Sequence, residues 1–136
     1  MTIRPARASD LDAIAAIQGQ SPEASHWPPD QYLAYTVLIA ENESHCNGFI
    51  VTRELAPGEY EILNLAVRNE ARRTGAGRAL AHSAMAGRPG AWYLEVRESN
   101  AVAREFYKSL GFEVAGRRPK YYTDPEEAAI VMRICS

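Results

Sequence analysis

Glu61-Ile-Leu-Asn-Leu-Ala-Val67, followed by Arg72-Arg-Thr-Gly-Ala-Gly-Arg78, is the stretch of this chain that carries most information about its fold. An apolar run typical of a strand ends at Val67, and a glycine-rich turn then opens a helical pattern. Such a turn presents backbone N–H groups at a helix N-terminus, where the helix dipole adds partial positive charge. Glycine lacks a Cβ atom, so an anion can approach this backbone closely. The turn therefore predicts a seat for a phosphate or pyrophosphate, lined by Arg72, Arg73, Gly75, Gly77 and Arg78.

Two common phosphate-binding loops do not fit this turn. A Walker loop needs a Lys and a Ser or Thr after its last glycine, and no such pair follows here. A dinucleotide fingerprint has Gly-x-Gly-x-x-Gly directly after a strand, whereas Leu80 takes the third glycine position and residues 68–74 intervene. A plain helix-entry turn with solvated arginines remains an alternative on the turn alone.

Length and composition indicate a soluble globular protein. The chain has 136 residues, of which 46% are apolar and 24% are charged, as is typical of one domain with a sizeable core. Its net charge of −2 provides no general attraction toward nucleic acid. Because we find neither an apolar run that could span a membrane nor a signal-peptide pattern, we expect a cytoplasmic protein without a membrane partner.

The cysteines and histidines show no spacing typical of a metal site. Cys46 and Cys135 form no Cys-x-x-Cys pair, and the histidines lie far apart, at positions 26, 45 and 82. These spacings predict neither a zinc site nor a redox motif. We therefore expect no metal.

The hydrophobic pattern predicts an α+β domain that spans residues 1–136. Seven segments have strand character: Thr2–Arg7, Thr36–Glu41, Gly48–Glu54, Tyr60–Val67, Ala91–Arg97, Phe112–Arg117 and Ala128–Ile134. Four have helical character: Asp10–Gln18, Asp30–Tyr35, Gly75–Ala86 and Ala101–Leu110. Ser9 and Asn100 are the expected N-caps of two helices, and Gly111 is placed to end the last one. This order predicts a central mixed, mostly antiparallel sheet of six to seven strands flanked by about four helices.

A second motif follows the glycine turn. It runs Leu94-Glu-Val-Arg-Glu-Ser-Asn100 and then Phe106-Tyr-Lys-Ser-Leu-Gly-Phe112, which reads as strand, Ser-Asn cap, helix with a tyrosine, and next strand. Together with the Arg-x-x-Gly-x-Gly turn, it resembles the GCN5-related N-acetyltransferases (GNAT). Arg117-Arg-Pro-Lys-Tyr-Tyr122 further resembles the RimI-like ribosomal-protein-alanine N-acetyltransferases. The resemblance covers nearly the whole chain. It implies the GNAT fold and transfer of acetyl from acetyl-CoA to a protein's N-terminal α-amine.

The resemblance also implies where acetyl-CoA would bind. The main chain of one strand segment would hold the pantetheine arm, namely Leu65, Ala66 and Val67, and one N–H there would serve as an oxyanion donor. The turn and a helix cap would hold the rest of the cofactor, namely Arg72, Arg73, Thr74, Gly75, Ala76, Gly77, Arg78 and Asn100. For Asn100, a structural role as N-cap and a role in binding are compatible.

Acetyl transfer to an amine needs a base and an acid. A peptide α-amine has a pKa of about 7.7–8.0 and must be neutral to attack, so a carboxylate can serve as the base. A tyrosine can return a proton to the leaving thiolate. The resemblance places the base at Glu95 and the acid at Tyr107, with Glu61 as the rival base. Without it, Glu95 would be an ordinary strand glutamate and Tyr107 a core tyrosine.

The chain departs from the family in a shorter connection between Arg78 and Glu95 and at two positions on the acceptor side. The resemblance implies that Trp27, Tyr121 and Tyr122 wall the acceptor channel, whereas Arg117 and Arg118 are expected to be solvated charges at a strand end. Lys120 stands where the family often has Asn, and Ala128 where it commonly has Asp. Two alternatives therefore remain: an acetyltransferase of a small-molecule amine, and a non-catalytic acetyl-CoA-binding module.

Overall fold

The computed structural model describes residues 1–20, 31, 34–72, 74–123 and 125–135. Seven strands form a mixed sheet and three α-helices accompany it within these ranges, which confirms the α+β class. The strands are β1 (Thr2–Pro5), β2 (Thr36–Asn42), β3 (His45–Ala56), β4 (Glu59–Val67), β5 (Ala91–Arg97), β6 (Glu113–Tyr122) and β7 (Glu127–Cys135). The helices are α1 (Leu11–Gly19), α2 (Ala76–Met85) and α3 (Ala101–Ser109). The helix predicted over Asp30–Tyr35 lies largely outside the described residues.

The chain divides into two compact units. The first contains Met1–Arg53 and Ile62–Arg88, and the second contains Glu54–Glu61 and Pro89–Ser136. The organisation of residues 1–136 as a single domain stays a prediction. None of the described helices is both long and apolar enough to cross a membrane.

The first unit carries its strands in the order β1-β2-β3-β4. β2 runs antiparallel to both β1 and β3, with Ile39 opposite Phe49. Helix α1 packs Ile14 and Ile17 against this pair of strands. The shared core consists of Ile14, Ile17, Val37, Ile39, Phe49, Val51 and Ala66. Burial of each large apolar side chain contributes about 1.5–3 kcal/mol to folding.

The entry into α1 differs from the prediction. Ser9 is not the N-cap, because a 3-10 turn over Ala8–Asp10 leads directly into the helix. The Asp10 carboxylate accepts a hydrogen bond from the Arg7 N–H at 2.7 Å. It also forms an ion pair with Arg4 at 2.8 Å. The hydrogen bond from Arg4 lowers the pKa of the Asp10 carboxyl. A tertiary partner thus fixes the helix start, which a local capping rule could not predict.

The second unit carries its strands in the order β5-β7-β6, and both pairings are antiparallel. In β5, Trp92, Leu94 and Val96 are buried, so Glu95 belongs to the other face of the strand. Helix α3 begins as predicted, because the Asn100 side chain accepts a hydrogen bond from the Ala103 N–H at 3.1 Å.

Strand β6 is longer than predicted. It continues past Arg117 to Tyr122, with one register irregularity near its start and a second between Arg118 and Tyr122. Within the second irregularity, Lys120 has a φ of 55°, in the left-handed region. Such bulges bend a strand and re-aim its side chains. The bulge lies directly before the predicted acceptor tyrosines.

Candidate active site

The glycine turn in the first unit has the geometry of an anion-binding site. Gly75 precedes α2 with a φ of 88°, and no atom lies within 4 Å of where its Cβ would be. Its carbonyl accepts the Ala79 N–H at 2.9 Å, which starts the helical ladder. The first N–H groups of a helix have no acceptor within the helix, so they are oriented to bind an anion. These groups belong to Ala76, Gly77 and Arg78.

Arg72 supports the turn through main-chain contacts. Its Nε donates to the Val67 carbonyl at 3.4 Å, and its Nη2 donates to the Gln20 carbonyl at 3.3 Å. The Gln20 side chain in turn accepts the Asn69 N–H at 2.9 Å. No sequence motif marks Gln20 as a residue of this turn. Arg78 and Thr74 are exposed beside the turn, and Arg73 lies outside the described residues.

The predicted pantetheine strand is fixed by buried amides. Asn64 Oδ1 accepts the N–H of Leu65 at 2.9 Å, and Asn64 Nδ2 donates to Gln18 Oε1 at 3.3 Å. One strand over, Gly48 approaches so closely that a Cβ there would lie 2.8 Å from the Ala66 carbonyl oxygen. Together with Val67, this segment belongs to the same unit as the glycine turn.

Glu95 in the second unit is a half-buried carboxylate with one oxygen unsatisfied. Its side chain is 16% exposed and its Oε1 lies 3.4 Å from Arg118 Nη2. Its Oε2 is buried and has no hydrogen-bond partner within the described ranges. Leaving a buried polar atom without a partner is costly, so such an atom is a candidate contact for a ligand.

Two tyrosines accompany Glu95 at the end of β6. The rings of Tyr121 and Tyr122 meet edge-on at 5.1 Å between centroids. Burial raises the pKa of Tyr121, and so do a hydrogen bond to the Glu95 side chain and the charges of Glu95 and Glu61. Burial, followed by the charge of Glu95, raises the pKa of Tyr122 to about 12. The charge of Glu95 acts on both tyrosines and that of Glu61 on Tyr121, so the structure brings four predicted site residues together in the second unit.

Arg118 is exposed, as expected of a solvated charge, but it makes a contact that the sequence does not predict. Its guanidinium lies 3.4 Å from Glu95 Oε1 and 5.5 Å from the ring centroid of Tyr121. Arg117, in contrast, forms an exposed ion pair with Glu98 at 2.7 Å. The signal that distinguishes the two arginines is strand register, which is visible only once the sheet is formed.

Tyr107 is buried on α3. Its ring meets those of Phe106 and Phe112 edge-on, at 5.2 and 5.6 Å between centroids. Burial raises the pKa of Tyr107 well above its ordinary value. The phenol therefore stays protonated at neutral pH and can act as a proton donor. Trp27, the remaining predicted site residue, lies outside the described residues. The described part of the chain contains no cluster of three or more metal-ligand side chains.

Comparisons with known proteins identify the family of this chain. The sequence model of the acetyltransferase (GNAT) domain matches residues 34–114. A ribosomal-protein-bS18-alanine N-acetyltransferase of Escherichia coli is 42% identical over 98% of this chain and 96% of its own length. An uncharacterized protein of Mycobacterium leprae is 36% identical over 97% of this chain, which spans 39% of that protein.

A solved structure shows the same fold. Naa20 of Chaetomium thermophilum, in complex with a bisubstrate analogue, aligns with a TM-score of 0.87 and 27% identity over 99% of this chain and 86% of Naa20. The domain match covers more than half of the chain, and the Escherichia coli relative aligns over nearly all of it. The chain therefore belongs to the GNAT family of N-acetyltransferases.

Proposed function

We propose that the protein transfers the acetyl group of acetyl-CoA to the N-terminal α-amine of a protein in the cytoplasm. The observation that carries this proposal is Glu95, a half-buried carboxylate with an unsatisfied oxygen beside two tyrosines. An acceptor ammonium is the kind of partner that such an oxygen needs. The name of the Escherichia coli relative supports the alanine terminus of a ribosomal protein as the acceptor.

The residues of the first unit fit acetyl-CoA. The start of α2 offers N–H groups to a pyrophosphate, and the open space at Gly75 lets an anion approach them. The exposed Arg72 and Arg78 add positive charge at the same turn. The proposed set also includes the main chain of residues 65–67, Arg73, which lies outside the described residues, and Asn100, which belongs to the second unit. When bound, acetyl-CoA supplies the activated acetyl group as a thioester.

Glu95 is the proposed base. It takes a proton from the acceptor ammonium, directly or through water, so that the neutral nitrogen can attack the acetyl carbon. A carbon–nitrogen bond forms and the carbon–sulfur bond breaks. Glu61 remains the rival base, because it lies in the same unit and its charge helps to raise the pKa of Tyr121.

Tyr107 is the proposed acid. Burial raises the pKa of Tyr107, so the phenol is protonated at neutral pH, but the same shift makes it a weaker acid toward the thiolate. The phenol gives its proton to the departing sulfur, and the second proton that the nitrogen releases as the amide forms returns to the phenolate. Tyr121 and Tyr122, with Trp27, are proposed to line the acceptor path. Lys120 and Ala128 depart from the family on that side, which keeps a small-molecule amine as the second candidate acceptor.

The acceptor class is tested by free-thiol release from acetyl-CoA. Three acceptors are compared: a peptide that begins with Ala, the same peptide with a blocked N-terminus and an internal lysine, and a panel of small amines. We expect turnover with the free Ala terminus alone. Turnover with small amines alone would contradict the acceptor class. Acetyl-CoA binding without turnover of any amine would instead indicate a non-catalytic binding module.

A further inference from the structure

The contact between Arg118 and Glu95 is loose by the standards of an ion pair. Its nearest nitrogen and oxygen atoms are 3.4 Å apart, whereas charge-assisted hydrogen bonds are usually 2.7–2.9 Å long. The adjacent Arg117 makes two shorter contacts with Glu98, at 2.7 and 3.1 Å. Arg118 thus leaves Glu95 partly satisfied, and Oε2 remains buried without a partner within the described ranges.

Arg118 also has a second favourable contact, with the ring of Tyr121. Its side chain is 59% exposed, and its guanidinium carbon lies 5.5 Å from the ring centroid of Tyr121. A guanidinium stacks favourably on an aromatic face. Arg118 can therefore leave the carboxylate of Glu95 without losing all of its contacts in the second unit.

Strand register explains why Arg118 reaches Glu95. Glu95 lies opposite Val131 in β7, and Val131 lies opposite Gly116 in β6. Gly116 has no side chain in this row, and Arg118 follows two residues later on the same face of β6. An arginine side chain is long enough to reach from this position on β6 to Glu95 on β5, whereas a shorter side chain is not.

From this geometry we infer that Arg118 competes with the acceptor's α-ammonium: it occupies Glu95 and weakens the binding of a charged acceptor until the ammonium displaces it. The inference rests on the proposed function, in which an ammonium approaches Glu95. Arg118 faces Oε1 and the ammonium would take Oε2, and two cations held this close on one carboxylate repel each other. A charged acceptor therefore competes with the guanidinium, whereas an uncharged molecule of the same shape does not.

The test is a binding measurement that needs no turnover. Alaninamide carries the ammonium, and lactamide is its uncharged counterpart. Their half-saturation concentrations are read from the NMR signal of the labelled Glu95 carboxyl carbon, in the wild type and in Arg118→Gln. We expect alaninamide to bind several-fold more tightly to Arg118→Gln and lactamide to bind equally to both. Arg118→Lys, which keeps the charge, should match the wild type.

Arg117→Gln is the matched control, because it removes a neighbouring arginine that pairs with Glu98. It should leave both affinities unchanged. The inference is overturned if Arg118→Gln binds alaninamide no more tightly than the wild type, if both probes change equally, or if alaninamide does not bind. A wild type that binds alaninamide but acetylates no Ala peptide would refute the proposed function and leave this inference standing.

Discussion

At the residue scale, Tyr107 links burial to a measurable pH dependence. Its folded-state pKa is raised, so the unfolded chain loses the phenolic proton first as pH increases. The linked stability is complete below a pH of about 10 and decreases above it, by about 1.4 kcal/mol per pH unit for one proton. We expect Tyr107→Phe to make the free energy of unfolding less sensitive to pH in this alkaline range.

The measurement is urea unfolding of both proteins at several pH values from 8 to 12. Tyr122, whose pKa is raised to about 12, leaves some alkaline dependence in the variant. If the free energy of unfolding falls equally steeply with pH above 10 in the wild type and in Tyr107→Phe, burial does not raise the pKa of the Tyr107 phenol.

Residue chemistry was predictable where a motif carried it. The sequence identified Glu95 and Tyr107 as candidates through the resemblance, and their roles remain proposals. It did not identify the contact of Arg118 with Glu95, because that contact depends on the register of three strands. Nor did it identify Gln20, whose carbonyl and side chain support the glycine turn.

At the element scale, the bulge in β6 predicts a stabilising substitution. Lys120 adopts a φ of 55°, which costs most residues about 1–2 kcal/mol, whereas Asn tolerates this region well. We expect Lys120→Asn to raise the free energy of unfolding by about 0.5–1 kcal/mol.

The matched control for this substitution is Glu126→Gln. Lys120 and Glu126 form an exposed ion pair at 3.9 Å, which contributes little. Breaking the pair without changing the backbone should leave stability nearly unchanged in a urea titration. Should Lys120→Asn prove no more stable than the wild type, the left-handed conformation would carry no strain at this position.

Elements were predicted best where local pattern decides them. β5 was predicted with the bounds Ala91–Arg97 that the structure shows, because buried and less buried residues alternate along it. β6 was predicted too short, because Pro119 and three charges resemble a strand end. Its last residues are held by pairing of Tyr122 with Glu127, a contact that no local rule contains.

At the scale of the whole molecule, the two units carry different parts of the proposed chemistry. The first unit holds the glycine turn and the segment proposed for the pantetheine arm. The second holds the proposed base, the proposed acid and two acceptor tyrosines. The sequence predicted the α+β class and the family, because the motifs of both units occur in the family's order. The acceptor stays a proposal, because Lys120 and Ala128, the two departures from the resemblance, lie on the proposed acceptor side.

The most direct test of the proposed mechanism replaces each of two carboxylates in turn and measures activity toward a single acceptor. Thiol release with the Ala-initiated peptide is measured for the wild type, Glu95→Gln and Glu61→Gln, after unfolding curves have shown that all three proteins are folded. If Glu95 is the base, kcat should fall about 10²- to 10⁴-fold in Glu95→Gln and change much less in Glu61→Gln. Full activity in Glu95→Gln, with activity lost in Glu61→Gln, would contradict the account.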